Sequence, residues 1–371
     1  MGTLYVTEMG VQVHKEGQRL LVKRGSELLQ DIPMIKVDRI ILMGKGASIT
    51  TPTLYALADR KIGIYYLSSH GKFVMRTVGQ EHNHSRLRQA QTRATDDPAR
   101  CMQIAQAIVS GKVNNQRVLV QRHAEGAAWA REALTQMDSM RRQVETSQSL
   151  DELRGREGLA AKGYFHLMRQ ILRPPSDGRS WGFERRAYYP PTDPVNALLS
   201  FAYTLLLNDL IAACQVTGLD PDIGFFHVID YNKPAMALDL EEEFRPLIAD
   251  SIVLSALNRP IFGLRDFEIG QPWKSKEEQD EEPDPAAKSI LPVRPAAPPP
   301  DAGSEQSRPI YLKESARKRF IEMYEARVNE QIVYPPSGEQ TSYRRIFELQ
   351  AYAMARAILG PEQRYTAFTV R

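Results

Sequence analysis

Cysteine is nearly absent from the sequence, which contains only Cys101 and Cys214. Two thiols cannot form a disulfide framework, and they are too few for a zinc site with four cysteine ligands. Both cysteines are therefore predicted to be buried free thiols in a protein of a reducing compartment.

Long hydrophobic runs are absent as well. The longest apolar stretch, residues 197–207, is shorter than the about 20 residues that a membrane-spanning helix needs, and we interpret it as a buried core helix. Residues 1–8 have neither a basic flank nor an apolar run, so they do not resemble a signal peptide. The resulting prediction is a cytoplasmic protein with no membrane partner.

An excess of one charge is also lacking, because the formal net charge of the 371 residues is only +3. Any basic surface for an anionic partner must therefore be local. A hydrophobic content of 42% and a charged content of 25% are typical of a soluble globular protein. The length allows two domains of about 150 residues each.

Branched and aromatic residues are frequent from residue 3 to about residue 80 and predict a β-rich region. The predicted strands cover residues 11–14, 19–23, 28–32, 36–42 and 62–67. Gly17 lies between the first two and predicts a hairpin. Thr51 and Pro52 predict the start of one short helix that runs over 54–59.

From about residue 84 onward, apolar residues recur at intervals of three and four, which predicts helices. The predicted fold class is therefore α+β, with a small N-terminal β-rich domain at 1–82 and a larger all-α C-terminal domain at 83–371. Residues 271–309 interrupt the helical pattern, since nine of these 39 residues are proline and a run of acidic residues accompanies them. We predict that this insertion is disordered.

Basic residues accompany the first predicted helices and have two interpretations. Scattered arginines usually form a solvated face, but their fork of donors also suits contacts with the phosphates of a nucleic acid. The residues concerned are Arg86, Arg88, Arg93, Arg100, Lys112, Arg117, Arg122, Arg131, Arg141 and Arg142. Nearby, His82 and His84 are predicted to be surface loop residues because no further metal ligands are evident around them.

Glu157 lies in a predicted helix whose face it shares with small and apolar residues and with Tyr164. A carboxylate in such a place is paired, hydrogen-bonded or metal-bound. The alternative to a metal is an ion pair with Arg154 or Lys162. Three glycines occupy the same helix, at Gly155, Gly158 and Gly163. Each costs about 1 kcal/mol relative to alanine, which predicts the close approach of a helix, a ligand or another backbone.

A second candidate cluster follows a Gly-Phe-Phe segment. His227 ends that segment, Asp239 comes twelve residues later, and Glu242 follows after three more. A spacing of three places the two carboxylates on one side of a helix turn. Together with the imidazole they suit a divalent ion with oxygen and nitrogen ligands. The alternative is a solvated acidic helix start, in which Glu241, Glu242 and Glu243 interact with the helix dipole.

Three separated segments, taken in order, resemble one known family. They are residues 153–158 around Glu157, residues 183–196, which end in Pro-Pro-Thr-Asp-Pro-Val-Asn, and residues 224–246, which run from Gly-Phe-Phe-His to Phe-Arg-Pro. Together they resemble the CRISPR-associated adaptation integrase family, the catalytic protein that inserts new spacers. The resemblance covers nearly all of the chain apart from the 271–309 insertion, and it places catalysis in the C-terminal domain.

The resemblance implies a metal-dependent DNA endonuclease and integrase, in which a 3′ hydroxyl attacks a phosphodiester. The family's metal ligands correspond here to Glu157, His227 and Glu242, and the ion is Mg²⁺ or Mn²⁺. A second ion, held in part by Asp239, stays open. The residues expected to support the site are Asp239, Arg245, Tyr164 and Asn196.

The implied partners are double-stranded DNA, as protospacer and repeat, a second copy of the chain in a homodimer, and a small companion dimer of the second CRISPR-associated adaptation protein. Two rival functions remain open. One is a stand-alone nuclease that cuts branched DNA, and the other is a catalytically inactive DNA-binding scaffold. Joining of protospacer DNA to a repeat substrate distinguishes the integrase from the stand-alone nuclease. For the inactive scaffold, Glu157→Ala should leave all DNA processing unchanged, whereas the integrase should lose activity with its fold intact.

Overall fold

Two four-stranded sheets form the N-terminal part of the protein in the computed structural model, which describes residues 2–68, 73–77, 84–187, 190–230, 233–270, 308–360 and 363–370. The strands are β1 (Gly2–Val6), β2 (Val11–Glu16), β3 (Arg19–Arg24), β4 (Glu27–Pro33), β5 (Val37–Met43), β6 (Ala47–Ile49), β7 (Gly63–Leu67) and β8 (Phe73–Arg76). One sheet has the order β1-β5-β7-β8, and the other has the order β4-β3-β2-β6. Helix α1 (Thr51–Asp59) lies between β6 and β7 along the chain.

The hairpin predicted around Gly17 is confirmed. Strands β2 and β3 pair antiparallel, with Gln12 opposite Lys23. Gly17 has a φ of 58°, a left-handed conformation that glycine adopts without steric cost. Along β2, Val11 and Val13 are buried while Gln12 between them is exposed, as expected when one face of a strand packs on a core.

Helices make up most of the described chain from residue 84 onward. They are α2 (Ser85–Thr95), α3 (Pro98–His123), α4 (Ala130–Glu145), α5 (Leu150–Ile171), α6 (Pro194–Thr217), α7 (Ala235–Phe244), α8 (Ser251–Asn258), α9 (Glu314–Val328) and α10 (Tyr343–Leu359). A one-turn π-helix, Pro246–Asp250, joins α7 to α8. Two small antiparallel sheets of two strands each also occur here, β9 (Phe267–Ile269) with β10 (Ile310–Leu312) and β11 (Gln331–Tyr334) with β12 (Glu339–Ser342).

Helix α6 is the central helix of this region. Asp193 caps its start by accepting a 2.8 Å hydrogen bond from the backbone N–H of Asn196, and Gly218 ends it in a left-handed conformation. By length and composition α6 could cross a membrane, but 72% of its most apolar window is buried inside the protein. The predicted buried core helix is therefore confirmed. The prediction that this segment is too short to span a membrane is wrong, since the helix has 24 residues and extends well beyond the apolar run.

The predicted α+β class is confirmed, with a strand-rich N-terminal part and a mainly helical C-terminal part. The prediction that the C-terminal part is all-α is wrong, because β9, β10, β11 and β12 form two small sheets among its helices. The boundary between residues 82 and 83 stays a prediction, because residues 78–83, including His82, lie outside the described part of the chain. Residues 271–307 of the predicted insertion lie outside it as well. Cys101 and Cys214 are buried and free, as predicted.

A buried ionic network joins the β-rich part to the helices. Arg39 of β5 forms an ion pair with Asp209 of α6. The other carboxylate oxygen of Asp209 accepts a 2.7 Å hydrogen bond from the Tyr324 hydroxyl and lies 3.5 Å from Arg344 of α10. The two parts therefore share a buried charged network that neither could satisfy alone.

Candidate active site

Helix α7 carries the predicted acidic residues and is buried on all sides. Glu241, Glu242 and Glu243 lie in its last turn, and none of the three is more than 2% exposed. A solvated acidic helix start is therefore the wrong interpretation, because these carboxylates are neither solvated nor near the start of the helix. Buried carboxylates require partners, and the surrounding elements supply them.

Asp239 anchors the loop that carries His227. Its Oδ2 accepts hydrogen bonds from the backbone N–H groups of Phe225 (2.6 Å) and Phe226 (3.0 Å), and its Oδ1 accepts one from the backbone N–H of His227 (2.9 Å). Oδ1 also lies 2.8 Å from Nδ1 of the His227 ring. A Cβ at Gly224 would lie 2.8 Å from Oδ2, so the loop can pass this close only with glycine there. Both carboxylate oxygens thus position His227, which argues against Asp239 as a ligand of a second ion.

The same loop is held from its other side by α5. Arg154 donates from Nε (3.2 Å) and Nη2 (3.0 Å) to the carbonyl oxygen of Phe226. Its remaining nitrogen, Nη1, donates to Asp151 at 2.8 Å. Arg154 therefore links the helix that carries Glu157 to the loop that carries His227, and the predicted ion pair between Arg154 and Glu157 does not form.

Lys112 of α3 connects two of the three predicted metal ligands. Its Nζ lies 2.5 Å from Oε1 of Glu157 and 2.5 Å from Oε2 of Glu242. Both predicted partners of Glu157, Arg154 and Lys162, are therefore wrong. The grouping of Lys112 with surface basic residues is wrong too, since this side chain is only 8% exposed.

Glu242 is also in contact with His227 and Arg245. Its Oε1 lies 3.6 Å from Nε2 of His227 and accepts a 2.7 Å hydrogen bond from Nη1 of Arg245. Nη2 of Arg245 donates to Glu241 at 2.7 Å, and the guanidinium lies over the ring of Tyr203, 4.8 Å from its centroid. Arg245 is fixed on three sides, so it holds the Glu242 carboxylate in place.

The charges in this cluster stabilise one another. Burial would lower the pKa of the Lys112 ammonium, but the carboxylates of Glu242 and Glu157 raise it above its ordinary value. Burial would raise the pKa of Glu242, but Arg245, Lys112 and His227 hold it below its ordinary value. Lys112 and Glu242 therefore both remain charged at neutral pH.

Tyr164 supports the site from behind. Its hydroxyl donates to Oδ2 of Asp250 at 2.7 Å, and the hydroxyl of Tyr203 donates to Oδ1 of the same residue at 2.7 Å. Tyr164 is seven residues after Glu157 on α5, and Asp250 ends the π-helix that follows α7. The shared carboxylate therefore fixes α5 relative to the α7 segment, at a distance from the Glu157–Glu242 pair.

Asn196 organises the segment before α6. Its Nδ2 donates to the carbonyl oxygen of Arg185 at 2.9 Å, and its Oδ1 accepts from the backbone N–H of Ala187 (3.0 Å) and from Arg186 (2.9 Å). The guanidinium of Arg186 lies 5.2 Å from the ring centroid of Tyr203, on which Arg245 also packs. Asn196 therefore reaches the site through Arg186 and Tyr203. Tyr188 and Tyr189, in the same segment, lie outside the described residues.

The predicted basic track divides into structural and exposed members. Arg100 donates to carbonyl groups at the end of α10, and Arg117 pairs with Asp138 at 2.8 Å. Arg141 pairs with Glu145 one turn further along α4. The exposed members are Arg86, Arg93, Arg122, Arg131 and Arg142. Phosphate contacts stay a prediction for this second group.

Comparison with known proteins assigns the family. The family model for CRISPR associated protein Cas1 matches residues 4–273. A curated protein named CRISPR-associated endonuclease Cas1 3, from Thermus thermophilus, is 34% identical over 374 residues, which span 100% of this chain and 98% of that protein. The chain belongs to the Cas1 family. The resemblance in its three segments is thereby confirmed, and so is the predicted class of CRISPR adaptation endonuclease and integrase at the level of the family.

Two solved structures share the fold of this Cas1 chain. A casposase bound to its integration product matches with a TM-score of 0.75 at 19% identity, over 99% of this chain and 93% of that one. A chain of a Cas6-RT-Cas1–Cas2 complex matches with a TM-score of 0.75 at 20% identity, over 100% of this chain and 36% of that one. At these identities the likeness concerns the fold alone.

The three predicted metal ligands of this Cas1 chain meet at Glu242 but do not form a ready-made ligand shell. Glu157 approaches Glu242 across the Lys112 ammonium, and His227 lies 3.6 Å from Glu242. Among the described residues, no group of three or more His, Cys, Asp or Glu side chains is placed to hold a metal ion. Direct metal binding by these residues therefore stays a prediction.

Sequence reasoning missed the roles of Lys112 and Arg154. The available signal for Lys112 was its position on a buried helix face, three residues after Val109 and one before Val113. No sequence pattern indicates that Arg154 donates to the His227 loop, because the acceptor is a backbone carbonyl group.

No described helix or backbone approaches two of the three glycines of α5 closely, and the approach of a ligand there stays a prediction. A Cβ at Gly155 or Gly158 would have no described atom within 4 Å, and only Gly163 has a neighbour, the Met140 side chain at 3.4 Å. The face of α5 beside Glu157 is therefore open.

Proposed function

We propose that this Cas1 chain is a divalent-metal-dependent DNA endonuclease and strand transferase, with Glu157, His227 and Glu242 holding Mg²⁺ or Mn²⁺. One observation carries the proposal. Glu157 of α5, His227 of the loop before α7 and Glu242 of α7 are up to 85 positions apart in the sequence. In the structure they meet around Glu242 and one buried cation, the Lys112 ammonium. A site that already holds a positive charge between two carboxylates suits a metal cation.

The donor set fits such an ion. Because both carboxylate oxygens lie 2.5 Å from the same Lys112 nitrogen, they are at most about 5 Å apart, close to the span of two oxygens bound to one ion at about 2.1–2.5 Å each. Small side-chain movements would gather them. Two carboxylates with one imidazole favour Mn²⁺ while still accepting Mg²⁺.

The local charge favours a divalent cation as well. Four carboxylates lie in the cluster, those of Glu157, Asp239, Glu241 and Glu242. All but Asp239 contact two side chains that are always cationic, Lys112 and Arg245. The balance is about two negative charges, which a divalent ion would neutralise in this water-poor setting.

His227 is oriented for metal binding by Asp239. The 2.8 Å contact at Nδ1 favours the tautomer that donates there, which leaves the lone pair on Nε2, the nitrogen that faces Glu242. The bound ion would polarise a phosphoryl oxygen of the DNA and stabilise the charge that develops during cleavage or attack by a 3′ hydroxyl. Arg245 keeps Glu242 charged and in place throughout.

We further propose double-stranded DNA, a second copy of the chain and a small Cas2 partner as the interaction partners. The exposed arginines of α2, α3 and α4 would contact DNA phosphates. Such contacts predict DNA binding that weakens steeply with salt. Exposed apolar side chains of the β-rich part support a homodimer through that part: Met9, Leu28, Ile35, Tyr55, Val74 and Met75. The fold shared with a chain of a Cas1–Cas2 complex supports the third partner.

Substitution of His227 tests the proposal most directly. We expect His227→Ala to reduce both cleavage and joining of protospacer DNA to a repeat by at least about 10³-fold with Mn²⁺ present. The melting temperature should change little, because the imidazole is partly exposed and Asp239 still accepts the backbone hydrogen bonds that hold the loop. Removal of divalent ions with EDTA should abolish the activity of the wild-type protein, and Mg²⁺ or Mn²⁺ should restore it.

His166→Ala is the matched control, since His166 is an exposed histidine on α5. It should retain full activity. Hydrolysis by the wild-type protein without any joined product would favour the stand-alone nuclease. DNA processing that survives both His227→Ala and Glu157→Gln would rule out the proposed site.

A further inference from the structure

Lys112 is a lysine in an unusual position. It projects from the middle of α3 (Pro98–His123), between buried Val109 and Val113, and it is only 7% exposed. A buried ammonium is unfavourable unless it is paired. The two carboxylates that pair with it, those of Glu157 and Glu242, belong to proposed metal ligands.

The ammonium lies where an ion shared by these two carboxylates would have to bind. Its nitrogen is 2.5 Å from an oxygen of each, about the length of a bond from oxygen to a divalent ion. Oε2 of Glu242 is buried and lies 2.5 Å from the Lys112 nitrogen. This contact is an ion pair, so a different cation could replace the ammonium there.

Two cations cannot share the gap between Glu157 and Glu242. A divalent ion at bonding distance from both oxygens would lie within a few ångströms of the Lys112 nitrogen, and like charges so close in a buried site repel strongly. The lysine side chain has four rotatable bonds and can withdraw. Arg245, which also pairs with Glu242, is fixed by Glu241 and by the Tyr203 ring and is the less mobile of the two.

We propose that Lys112 is a built-in counter-cation that holds Glu157 and Glu242 together before metal binds, and that the divalent ion displaces it. This inference rests on the metal site of the proposed function. It adds an intramolecular competitor, so that the affinity for the ion is set partly by a residue that is not a ligand. It also explains how two carboxylates stay close together in the metal-free protein.

Lys112→Met tests this inference, because methionine keeps most of the side-chain volume and removes the charge. Without metal, its melting temperature should fall by several degrees, since two carboxylates lose their shared cation. Its affinity for Mn²⁺ alone, without DNA, should rise by about tenfold or more, because no ammonium has to be displaced. Isothermal titration calorimetry gives the affinity, and the Mn²⁺-induced rise in melting temperature should be larger than in the wild type.

Lys162→Met is the matched control, since Lys162 is an exposed lysine on α5. Both its melting temperature and its Mn²⁺ affinity should equal those of the wild type. If Lys112→Met does not fold, Lys112→Gln replaces it, because its amide can still donate to one carboxylate while the charge is gone.

The outcomes separate this inference from the proposed function. Mn²⁺ binding that is unchanged or weaker in the Lys112 variant, while Glu157→Gln lowers it in the wild-type background, overturns the displacement and leaves the metal site in place. Mn²⁺ binding that is absent from the wild type and from every variant overturns both. Tighter binding in the Lys112 variant that Glu157→Gln then abolishes supports both.

Discussion

The β-rich part and the helical part of this Cas1 chain differ in how many charged side chains they bury. Among the described residues up to 77, Arg39 is the only buried charged side chain. The described helical part buries two cations, Lys112 and Arg344, and eight carboxylates. These are Asp193, Asp209, Asp239, Glu241, Glu242, Glu243, Asp250 and Asp266. The interior of the β-rich part is almost entirely apolar, whereas the helical part contains many buried charges, each with a desolvation penalty.

Buried charge serves two purposes in the helical part. The network of Arg39, Asp209 and Arg344 connects elements far from the proposed site and is structural. The network of Lys112, Glu157 and Glu242 leaves carboxylate oxygens facing one point and is suited to chemistry. Substitutions in the two networks should therefore separate stability from activity, and the following predictions test that separation.

Asp209→Asn should have the largest effect on stability. It would leave Arg39 and Arg344 without their shared carboxylate in a buried place, which costs about 3–5 kcal/mol. Chemical denaturation should show the loss in the free energy of unfolding. The folded molecules should retain wild-type cleavage activity at low temperature. A loss of activity in fully folded protein would show that the network of Arg39, Asp209 and Arg344 also shapes the site.

Asp239→Asn should combine both effects, because Asp239 anchors the loop and orients His227. We expect Mn²⁺ affinity and DNA cleavage to fall by about 10- to 100-fold, the usual effect of losing the partner of a ligating histidine. Titration calorimetry and a cleavage assay measure these changes. Asp222→Asn, at an exposed aspartate of the preceding segment, is the control. Equal effects of the two substitutions would contradict the assigned role of Asp239.

Asp250→Asn should change how stability depends on pH. Burial raises the pKa of Asp250 in the folded protein, although hydrogen bonds from Tyr164 and Tyr203 oppose this. Between the unfolded pKa, about 4, and the higher folded pKa, Asp250 holds a proton in the folded state that it releases on unfolding. The resulting contribution to stability is therefore lost as the pH rises through the folded pKa. The wild type should exceed Asp250→Asn in melting temperature by more at pH 4 than at pH 7. An advantage that grows with pH would mean that the tyrosine hydrogen bonds outweigh burial.

Gly158→Ala should have the smallest effect, and it should be stabilising. Gly158 lies inside α5, and a Cβ there would meet no described atom within 4 Å. Alanine should therefore increase the free energy of unfolding by about 1 kcal/mol, measurable by denaturant titration. Gly163→Ala is the comparison, because the Met140 side chain is 3.4 Å away and should reduce the gain. A destabilised Gly158→Ala would contradict the open face of α5.

Regular patterns made much of the fold predictable. The β2–β3 hairpin follows from alternation around Gly17, and α6 follows from Asp193, Pro194 and Gly218 at its ends. The acidic turn of α7 was ambiguous for a physical reason. A helix buried on all sides lacks the contrast between a polar and an apolar face, so its sequence alone cannot show whether its carboxylates face water.

The amino-acid sequence by itself determined the order of strands and helices, the family, and the three residues proposed as metal ligands, because these depend on local spacing and on motifs. Only the tertiary structure decided which charge each carboxylate contacts. Lys112 precedes Glu242 by 130 positions, and no periodicity links residues so far apart. Pairing across such separations depends on how helices pack, and α3, α5 and α7 bring the lysine and both glutamates together only in the folded protein.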